Sequence, residues 1–229
     1  MTSAIEILWK QALKTFGGQK NVGFKICQRN FDKLWNLMNK ITAEDVNVNK
    51  QILDFVRKQS APMCSIDIFE NEDVIISIFI LKHGVTMPMH DHPGMHGFLK
   101  VISGAVQINS YSLKNDDHII KLNKEIAAVK HRPICVHSNS PACILTPRDK
   151  NLHEISCLEG PAAFLDILSP PYDVDDSGKG PRPCTYFKNI SSKSCTDLTD
   201  VIEEVKLIAT EGPPDFYSQN LLYTGPPLM

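Results

Sequence analysis

Apolar side chains recur at helical spacing in the first 60 residues of the chain. One run ends near Gly17 and Gly18 and a second covers residues 31–38, and in both the apolar positions return every three or four residues. The segment Thr42-Ala43-Glu44-Asp45 resembles a capping box and predicts the start of a third helical stretch. The apolar positions of the two runs are Ile5, Leu8, Trp9, Leu13, Phe16, Phe31, Leu34, Trp35, Leu37 and Met38.

From about Cys64 onward the pattern changes to short runs of β-branched and aromatic residues separated by turns. These runs predict strands over residues 66–69, 74–81, 87–92, 97–102, 105–111, 118–122, 144–146 and 163–168. No long helical pattern interrupts them, so a parallel α/β sheet is not expected. We predict one all-β domain over residues 1–229, in which a helical extension (1–60) packs on a sandwich, jelly roll or barrel (64–229).

Composition narrows the class of protein. The chain of 229 residues has 42% hydrophobic content and a net charge of -2, without a run of Lys or Arg, so neither a nucleic acid nor a membrane surface is an expected partner. The first 20 residues lack the apolar core of a signal peptide. Seven cysteines without a C-x-x-C pair favour a reducing compartment. We expect a cytoplasmic monomer, with entry into the nucleus left open.

Histidines cluster just after the apolar run at 74–81. His90 and His92 are separated by one residue, and side chains two apart lie on the same face of a strand, so both can bind one ion. Neutral imidazole is a common ligand of zinc, copper, iron and nickel. A close pair of histidines is by itself weak evidence, because a surface cluster has the same pattern.

The spacing of Gly84, His90, His92 and Gly104 is similar to the first sequence motif of cupins, which are small jelly-roll barrels that hold a metal. Most cupins place a Glu four or five positions after the second His, and here those positions hold His96 and Gly97. The third ligand must then come from elsewhere. His153 is the favoured candidate and His137 is its main rival. His83, His118 and His131 are interpreted as surface or loop residues.

Three neutral imidazoles leave the charge of a divalent ion uncompensated, whereas two histidines and a carboxylate remove part of it. Such a site favours an anionic ligand, and a thiolate, whose pKa falls on coordination, supplies the missing charge. Activation of O2 needs a redox metal. Iron(II) is therefore favoured over zinc on mechanism rather than on ligand identity.

The stretch His90-Asp91-His92-Pro93-Gly94-Met95-His96-Gly97 resembles the 2-aminoethanethiol (cysteamine) dioxygenase family, to which plant cysteine oxidases are related. Further blocks of the resemblance are residues 160–173, Cys184-Thr185-Tyr186 and Tyr223-Thr224-Gly225-Pro226, so it extends from about residue 40 to the end. It implies a cupin barrel with iron(II) bound by His90, His92 and His153. It also implies addition of both atoms of O2 to cysteamine or to the N-terminal cysteine of a protein.

The resemblance also implies roles for other residues. Asp166 is expected to hydrogen-bond the substrate amine or an iron-bound species, although a structural role remains open, and Tyr172 is expected to close over the pocket. Cys184 and Tyr186 match a pair that can form a thioether crosslink in this family. Apart from the resemblance, two interpretations of His96 stay open: a surface or loop residue, or a residue that supports a ligand imidazole by a hydrogen bond, as metal sites generally require.

Two rival functions remain open. The first is a non-catalytic cupin that binds a metal or a small ligand as a sensor or scaffold, and retention of all three candidate ligands argues against it. The second is a cupin isomerase or hydrolase that uses zinc or manganese. The missing Glu disfavours that reading.

Overall fold

The computed structural model describes residues 2–18, 24–114, 120–173, 181–191 and 203–229. Three α-helices lie in the N-terminal part, and a short 3-10 turn covers Glu44–Val46. The helices are α1 (Ala4–Phe16), α2 (Gln28–Met38) and α3 (Lys50–Lys58). Among the described residues, no helix is both long and apolar enough to cross a bilayer.

Helix α1 shows why this segment is helical and which way it faces. The Ser3 hydroxyl accepts a hydrogen bond from the amide of Glu6 at 3.2 Å and so caps the first turn. Ile5, Leu8 and Phe16 recur at helical spacing and are fully buried. The helix therefore presents one apolar face to the rest of the protein.

The predicted capping box forms and opens a single helical turn, in keeping with the turn or two that its sequence pattern indicates. The Thr42 amide donates to the Asp45 carboxylate at 2.9 Å, and the short Glu44–Val46 turn follows. Helix α3 begins separately at Lys50, where the Asn49 side chain accepts from two backbone amides. Helix α3 therefore has its own cap at Asn49, four residues after Asp45, the last residue of the capping box.

Eleven strands follow in the described part of the chain. They are β1 (Met63–Glu70), β2 (Ile75–Leu81), β3 (Thr86–Asp91), β4 (His96–Leu113), β5 (Glu125–Lys130), β6 (Ile134–His137), β7 (Cys143–Leu145), β8 (Leu152–Ser169), β9 (Tyr186–Asn189), β10 (Glu203–Thr210) and β11 (Ser218–Leu221). All of them belong to one sheet, with the order β11-β1-β2-β8-β3-β9-β10-β5-β4-β6 and β7 paired to β4.

The sheet closes on itself because β8 also pairs with β4. The ring therefore passes from β8 through β3, β9, β10, β5 and β4 and back to β8. Closure of this kind leaves an interior lined by every second side chain of each strand. The predicted all-β barrel with N-terminal helices is confirmed, whereas its description as a single domain stays a prediction.

Several strands were missed or shortened by the sequence analysis. Strand β8 begins eleven residues before the predicted run at 163–168, and the two runs at 97–102 and 105–111 are one strand, β4. Strands β5, β6, β9, β10 and β11 were not predicted, and most residues of β6 and β11 are exposed, so they lack an alternating apolar pattern. Residues 118 and 119 of the predicted strand at 118–122 lie outside the described residues, and residues 120–122 are not in a strand.

Buried apolar residues form separate clusters on the two sides of the sheet. One cluster joins the helices to the outer face of the barrel, where the Phe98 ring lies 4.7 Å from that of Phe31 and 6.3 Å from that of Phe16. We call it the helix-side core. A second cluster, with Val101, Ile155 and others, fills the barrel interior and borders the site described next.

Candidate metal centre

Two neighbouring strands bring three histidines together at one end of the barrel. His90 lies on β3 and His92 directly follows its last residue, whereas His153 is the second residue of β8. Strands β3 and β8 are antiparallel, and their register places His90 opposite His153. Strand pairing therefore unites residues that are 63 positions apart in the chain.

The three imidazoles converge closely enough to share one ion. Their ring centroids are 4.8 Å apart for His90 and His92, 4.9 Å for His90 and His153, and 4.6 Å for His92 and His153. One ligand atom from each lies within 4.8 Å of the others. Two nitrogens bound to one ion at roughly 2.1 Å each are at most about 4.2 Å apart, so the rings need to close only slightly.

Main-chain carbonyls fix the tautomers of two of the rings. Nδ1 of His90 lies 2.9 Å from the carbonyl oxygen of Pro88, and Nδ1 of His92 lies 2.9 Å from that of Asn151. A carbonyl can only accept, so each Nδ1 carries the proton and donates it. In a neutral ring Nε2 then carries the lone pair, which is available to a metal.

Burial keeps the three rings neutral. It lowers the pKa of His92 to about 3, with the neighbouring His90 as the next cause, and it lowers the pKa of His153 well below its usual value. The pKa of His90 is also lowered by burial, although this residue is only partly buried. Neutral imidazoles are the protonation state that metal coordination requires.

Asn151 holds the chain around His92, and the sequence analysis missed it. Its side-chain amide donates to the carbonyl oxygens of His92 at 2.7 Å and Thr146 at 3.0 Å, and its Oδ1 accepts from the His92 amide at 3.3 Å. Asn151 is 4% exposed. A short polar side chain before a strand has no sequence pattern that distinguishes it from a turn residue.

The three histidines line a cavity of about 160 Å³. Apolar side chains form much of its wall, including Met63, Phe79, Met87, Phe164 and Phe216. The predicted residues Asp166, Tyr172, Cys184 and Tyr186 also line it. The structure thus brings together every predicted site residue except His96.

Asp166 lies near the C-terminal end of β8, between Ser77 on β2 and Leu99 on β4. The residue lines the cavity and is 8% exposed. Burial raises the pKa of this carboxyl group to about 7, because the charged form loses its hydration. The group can therefore be present in either protonation state near neutral pH.

Tyr172, Cys184 and Tyr186 line the side of the cavity near His90 and His92. The Tyr172 ring centroid lies 5.8 Å from that of His92, and its hydroxyl donates to the main-chain oxygen of Asp91 at 2.7 Å. Tyr186 is the register partner of His90. Burial raises the pKa of Tyr172 well above its usual value, and it raises the pKa of Cys184 to about 12.

His96 does not reach the cavity. Its ring lies 6.4 Å from that of Phe16 and 6.1 Å from that of Phe31, on the helix side of the sheet. The predicted supporting role for His96 is therefore not favoured by its position, because the residues around it belong to α1 and α2.

The rival third ligand, His137, is exposed on β6, and its Nδ1 accepts from the Asn139 amide at 3.3 Å. His131 faces Ser112, with Nε2 2.7 Å from its hydroxyl, and His83 is exposed. His118 lies outside the described residues. Of the histidines that the structure describes, only His90, His92 and His153 form a cluster suited to a metal.

A second cavity, of about 320 Å³, reaches the same site from the side of β4 and β7. His153 and Asp166 line both cavities. Leu99, Cys143 and Leu145 contribute to its wall, and the exposed residues Asp149 and Lys150 are also among its lining residues.

A closed barrel that gathers three inward imidazoles defines a cupin with a candidate metal site. The family model PCO_ADO matches residues 37–228, and the chain belongs to this family.

Curated relatives agree with the family match. A 2-aminoethanethiol dioxygenase of Mus musculus is 32% identical, covering 100% of this chain and 98% of that protein. Its Homo sapiens namesake is 35% identical, covering 86% and 80%, and plant cysteine oxidase 2 of Arabidopsis thaliana is 29% identical, covering 97% and 82%. A solved cupin superfamily protein of Desulfitobacterium hafniense is 11% identical, covers 51% of this chain and 84% of its own, and has a TM-score of 0.35.

Proposed function

We propose that this protein is a thiol dioxygenase that adds both atoms of O2 to a free thiol. Its substrate is cysteamine, which gives hypotaurine, or the N-terminal cysteine of a protein, which gives cysteine sulfinic acid, or both. The observation that carries the proposal is the convergence of three neutral imidazoles in a cavity with largely apolar walls. Membership of a family whose curated relatives are named for this chemistry supports it.

His90, His92 and His153 would hold iron(II) through Nε2 of His90 and His92 and a ring nitrogen of His153. The donor set fits, because neutral imidazoles suit a first-row transition metal and bring no charge of their own. Bound there, iron(II) supplies the redox chemistry by which O2 and a thiol combine. The remaining positive charge favours a substrate that arrives as a thiolate.

Asp166 is proposed to bind the ammonium group of the substrate. Cysteamine and an N-terminal cysteine share an aminoethanethiol unit, whose cationic end needs an acceptor if its sulfur is to approach the imidazoles. Asp166 is a carboxylate in the wall of the same cavity. An ammonium ion beside it would lower its raised pKa and keep it ionised. Tyr172 is proposed to cover the sulfur end, since its ring lies beside His92.

Cys184 and Tyr186 are proposed to form the thioether crosslink. The bond would join Sγ of Cys184 to the ring carbon next to the phenol carbon of Tyr186, with loss of two hydrogens to O2. Both side chains line the cavity, and the residues are two apart, which puts them on one face of an extended chain. We regard the crosslink as a modulator, so the Cys184→Ala variant should retain measurable turnover.

Conversion of a cysteine to a sulfinic acid is effectively irreversible for most proteins. Oxidation of an N-terminal cysteine would mark the protein for degradation through the N-degron pathway. Because the rate of this oxidation depends on O2, the enzyme would act as an oxygen sensor. We propose that it acts in the cytoplasm as a monomer.

The test combines O2 consumption with mass spectrometry of the products. Iron-loaded protein is incubated with cysteamine, with a peptide that begins with Cys, and with a matched peptide that begins with Ser. We expect a gain of two oxygen atoms on the first two substrates, with one O2 consumed for each sulfinate, and no change in the third. Absence of sulfinate from both thiols at full iron occupancy would refute the proposal and leave a non-catalytic metal-binding cupin.

A further inference from the structure

Asp91 lies between the two ligands His90 and His92 but on the opposite face of the chain, because successive side chains of a strand alternate. It is 4% exposed. A buried carboxylate next to two metal ligands is a natural candidate for a further ligand or a general acid. The hydrogen bonds of Asp91 indicate a different role.

All three polar groups of Asp91 bond to residues that carry the far wall of the cavity. Its amide donates to the Thr185 carbonyl at 3.0 Å, and its carboxylate accepts from the Thr185 amide at 2.8 Å. Its own carbonyl accepts from the Tyr172 hydroxyl at 2.7 Å. Thr185 is flanked by Cys184 and Tyr186, so one residue links the ligand strand to three cavity residues.

Arg182 makes a second link between the same segments. Its guanidinium donates to the carbonyl oxygens of Pro93 at 2.7 Å and Pro171 at 3.4 Å, and its side chain is buried. Pro93 follows His92 and Pro171 precedes Tyr172. A Cβ atom at Gly94 would lie only 3.1 Å from Nη1, and Gly94 has φ +70°, so the glycine leaves room for the guanidinium.

Main-chain pairing holds this wall only in part. Tyr186 pairs with Thr210 of β10, but the ladder between β3 and β9 consists of one register pair, His90 with Tyr186, and residues 181–185 lie outside any strand. Side-chain hydrogen bonds therefore add to the main-chain bonds that position Cys184. A carboxyl oxygen that accepts from an amide and a guanidinium that donates to carbonyl oxygens form directional hydrogen bonds, which suits this task.

We infer that Asp91 and Arg182 are positioning residues, which together set Tyr172, Cys184 and Tyr186 at a fixed distance from the metal ligands. We call the two residues the clasp. Neither lines the cavity, so each acts through the residues it bonds. The inference rests on the proposed function for its kinetic consequence, whereas the geometry of the clasp is independent of it.

The test compares variants that remove each bond with variants that keep part of it. Asp91→Ala removes the acceptor and Asp91→Asn retains an oxygen for the Thr185 amide. Arg182→Met removes the donors, and Arg182→Lys keeps a charge that cannot span both carbonyls. Asp67→Asn and Arg57→Met serve as matched controls, because both residues are exposed.

Three measurements are made on iron-loaded protein. The first is bound iron, the second is the kinetics with the Cys-initiated peptide (kcat and KM), and the third is amide hydrogen exchange of residues 181–191. For Asp91→Ala and Arg182→Met we expect full iron occupancy and faster amide hydrogen exchange of residues 181–191. We expect kcat/KM to be lower by about 10–100-fold, which is the range for losing a hydrogen-bond partner outside the metal ligands. Asp91→Asn should recover most of the loss, and Arg182→Lys only part of it.

Outcomes that overturn the inference are distinct from failure of the proposed function. Parental kinetics and parental exchange in both Asp91→Ala and Arg182→Met would remove the clasp. Loss of iron in Asp91→Ala, or an Asp91→Asn variant as impaired as Asp91→Ala, would refute positioning by a hydrogen-bond acceptor. If the parental protein oxidises no thiol, the proposed function fails, and the exchange data still decide whether the clasp holds residues 181–191.

Discussion

The helix-side core and the wall of the metal centre are both buried, but different forces hold them. Apolar side chains make up most of the helix-side core, and many, such as Phe16 and Phe98, have no exposed surface. The metal-site wall instead buries His92, Asn151 and Asp166. Apolar burial is non-directional and tolerates small shifts, whereas buried polar groups require specific partners.

The two regions contribute to different properties: the helix-side core stabilises the fold, and the wall of the metal centre provides the groups for chemistry. A buried polar group without a partner costs roughly 1–3 kcal/mol, and a group that titrates costs more when it ionises. The wall of the metal centre buries titratable groups, among them His92, His153 and Asp166, and we expect the helix-side core to offset the cost of burying them. Substitutions in the two regions should therefore affect different measurements.

The largest expected effect comes from His153→Ala. Because the variant removes one of three donors, we expect it to lose bound iron and to lower turnover by more than about 100-fold, beyond the range for partners outside the ligand set. Iron content is measured by elemental analysis. A chelator should lower the melting temperature of the parental protein but not that of the variant, since only the parent gains stability from the metal.

His137→Ala is the matched control for that experiment. His137 is exposed on β6 and lies outside the cluster of three imidazoles, so its variant should retain iron and turnover. Iron loss in His137→Ala with retention in His153→Ala would reassign the third ligand.

Phe98→Ala tests the other side of the comparison. It removes a fully buried ring from between Phe16 and Phe31, which should lower the free energy of unfolding by about 3–5 kcal/mol. Iron bound per folded molecule should remain unchanged, as measured at low temperature alongside urea denaturation. The exposed Ile7→Ala change should cost about 0.5 kcal/mol or less. A Phe98→Ala variant that stays stable but loses iron would erase the distinction between the two regions.

Asn151→Ala should give a smaller effect on both measurements. Removing its amide leaves the buried main chain of His92 with fewer partners, which should cost about 1–3 kcal/mol in unfolding free energy. The same loss frees the orientation of His92, so iron affinity should fall by about 10-fold. Asn139→Ala, at an exposed position, should change neither. Unaltered iron affinity in Asn151→Ala would show that Asn151 serves the fold alone.

The sequence predicted the three clustered histidines better than the residues that support them. His90 and His92 were recognised because alternation along a strand is a local property, and His153 was favoured over His137 before the resemblance, which implies the same residue, was brought in. Asn151 and Arg182 were missed, since their partners lie 59 and 89 positions away and depend on how strands pair. His96 carries the same type of side chain as the ligands, yet it faces the helices.

Strand prediction failed for a related reason. Strand β11 is largely exposed and polar, and it exists because it pairs with β1 in parallel. The N-terminal part of β8 is likewise a strand through its partners β3 and β4. Pairing across the barrel is a tertiary effect that overrides local propensity.

The acceptors that orient His90 and His92 are the main-chain oxygens of Pro88 and Asn151. A peptide oxygen is present whatever side chain its residue carries. A point mutation at position 88 or 151 can therefore shift the acceptor but never delete it. The main chain therefore determines which nitrogen of these two rings carries the proton, and a substitution changes this only if it moves the main chain.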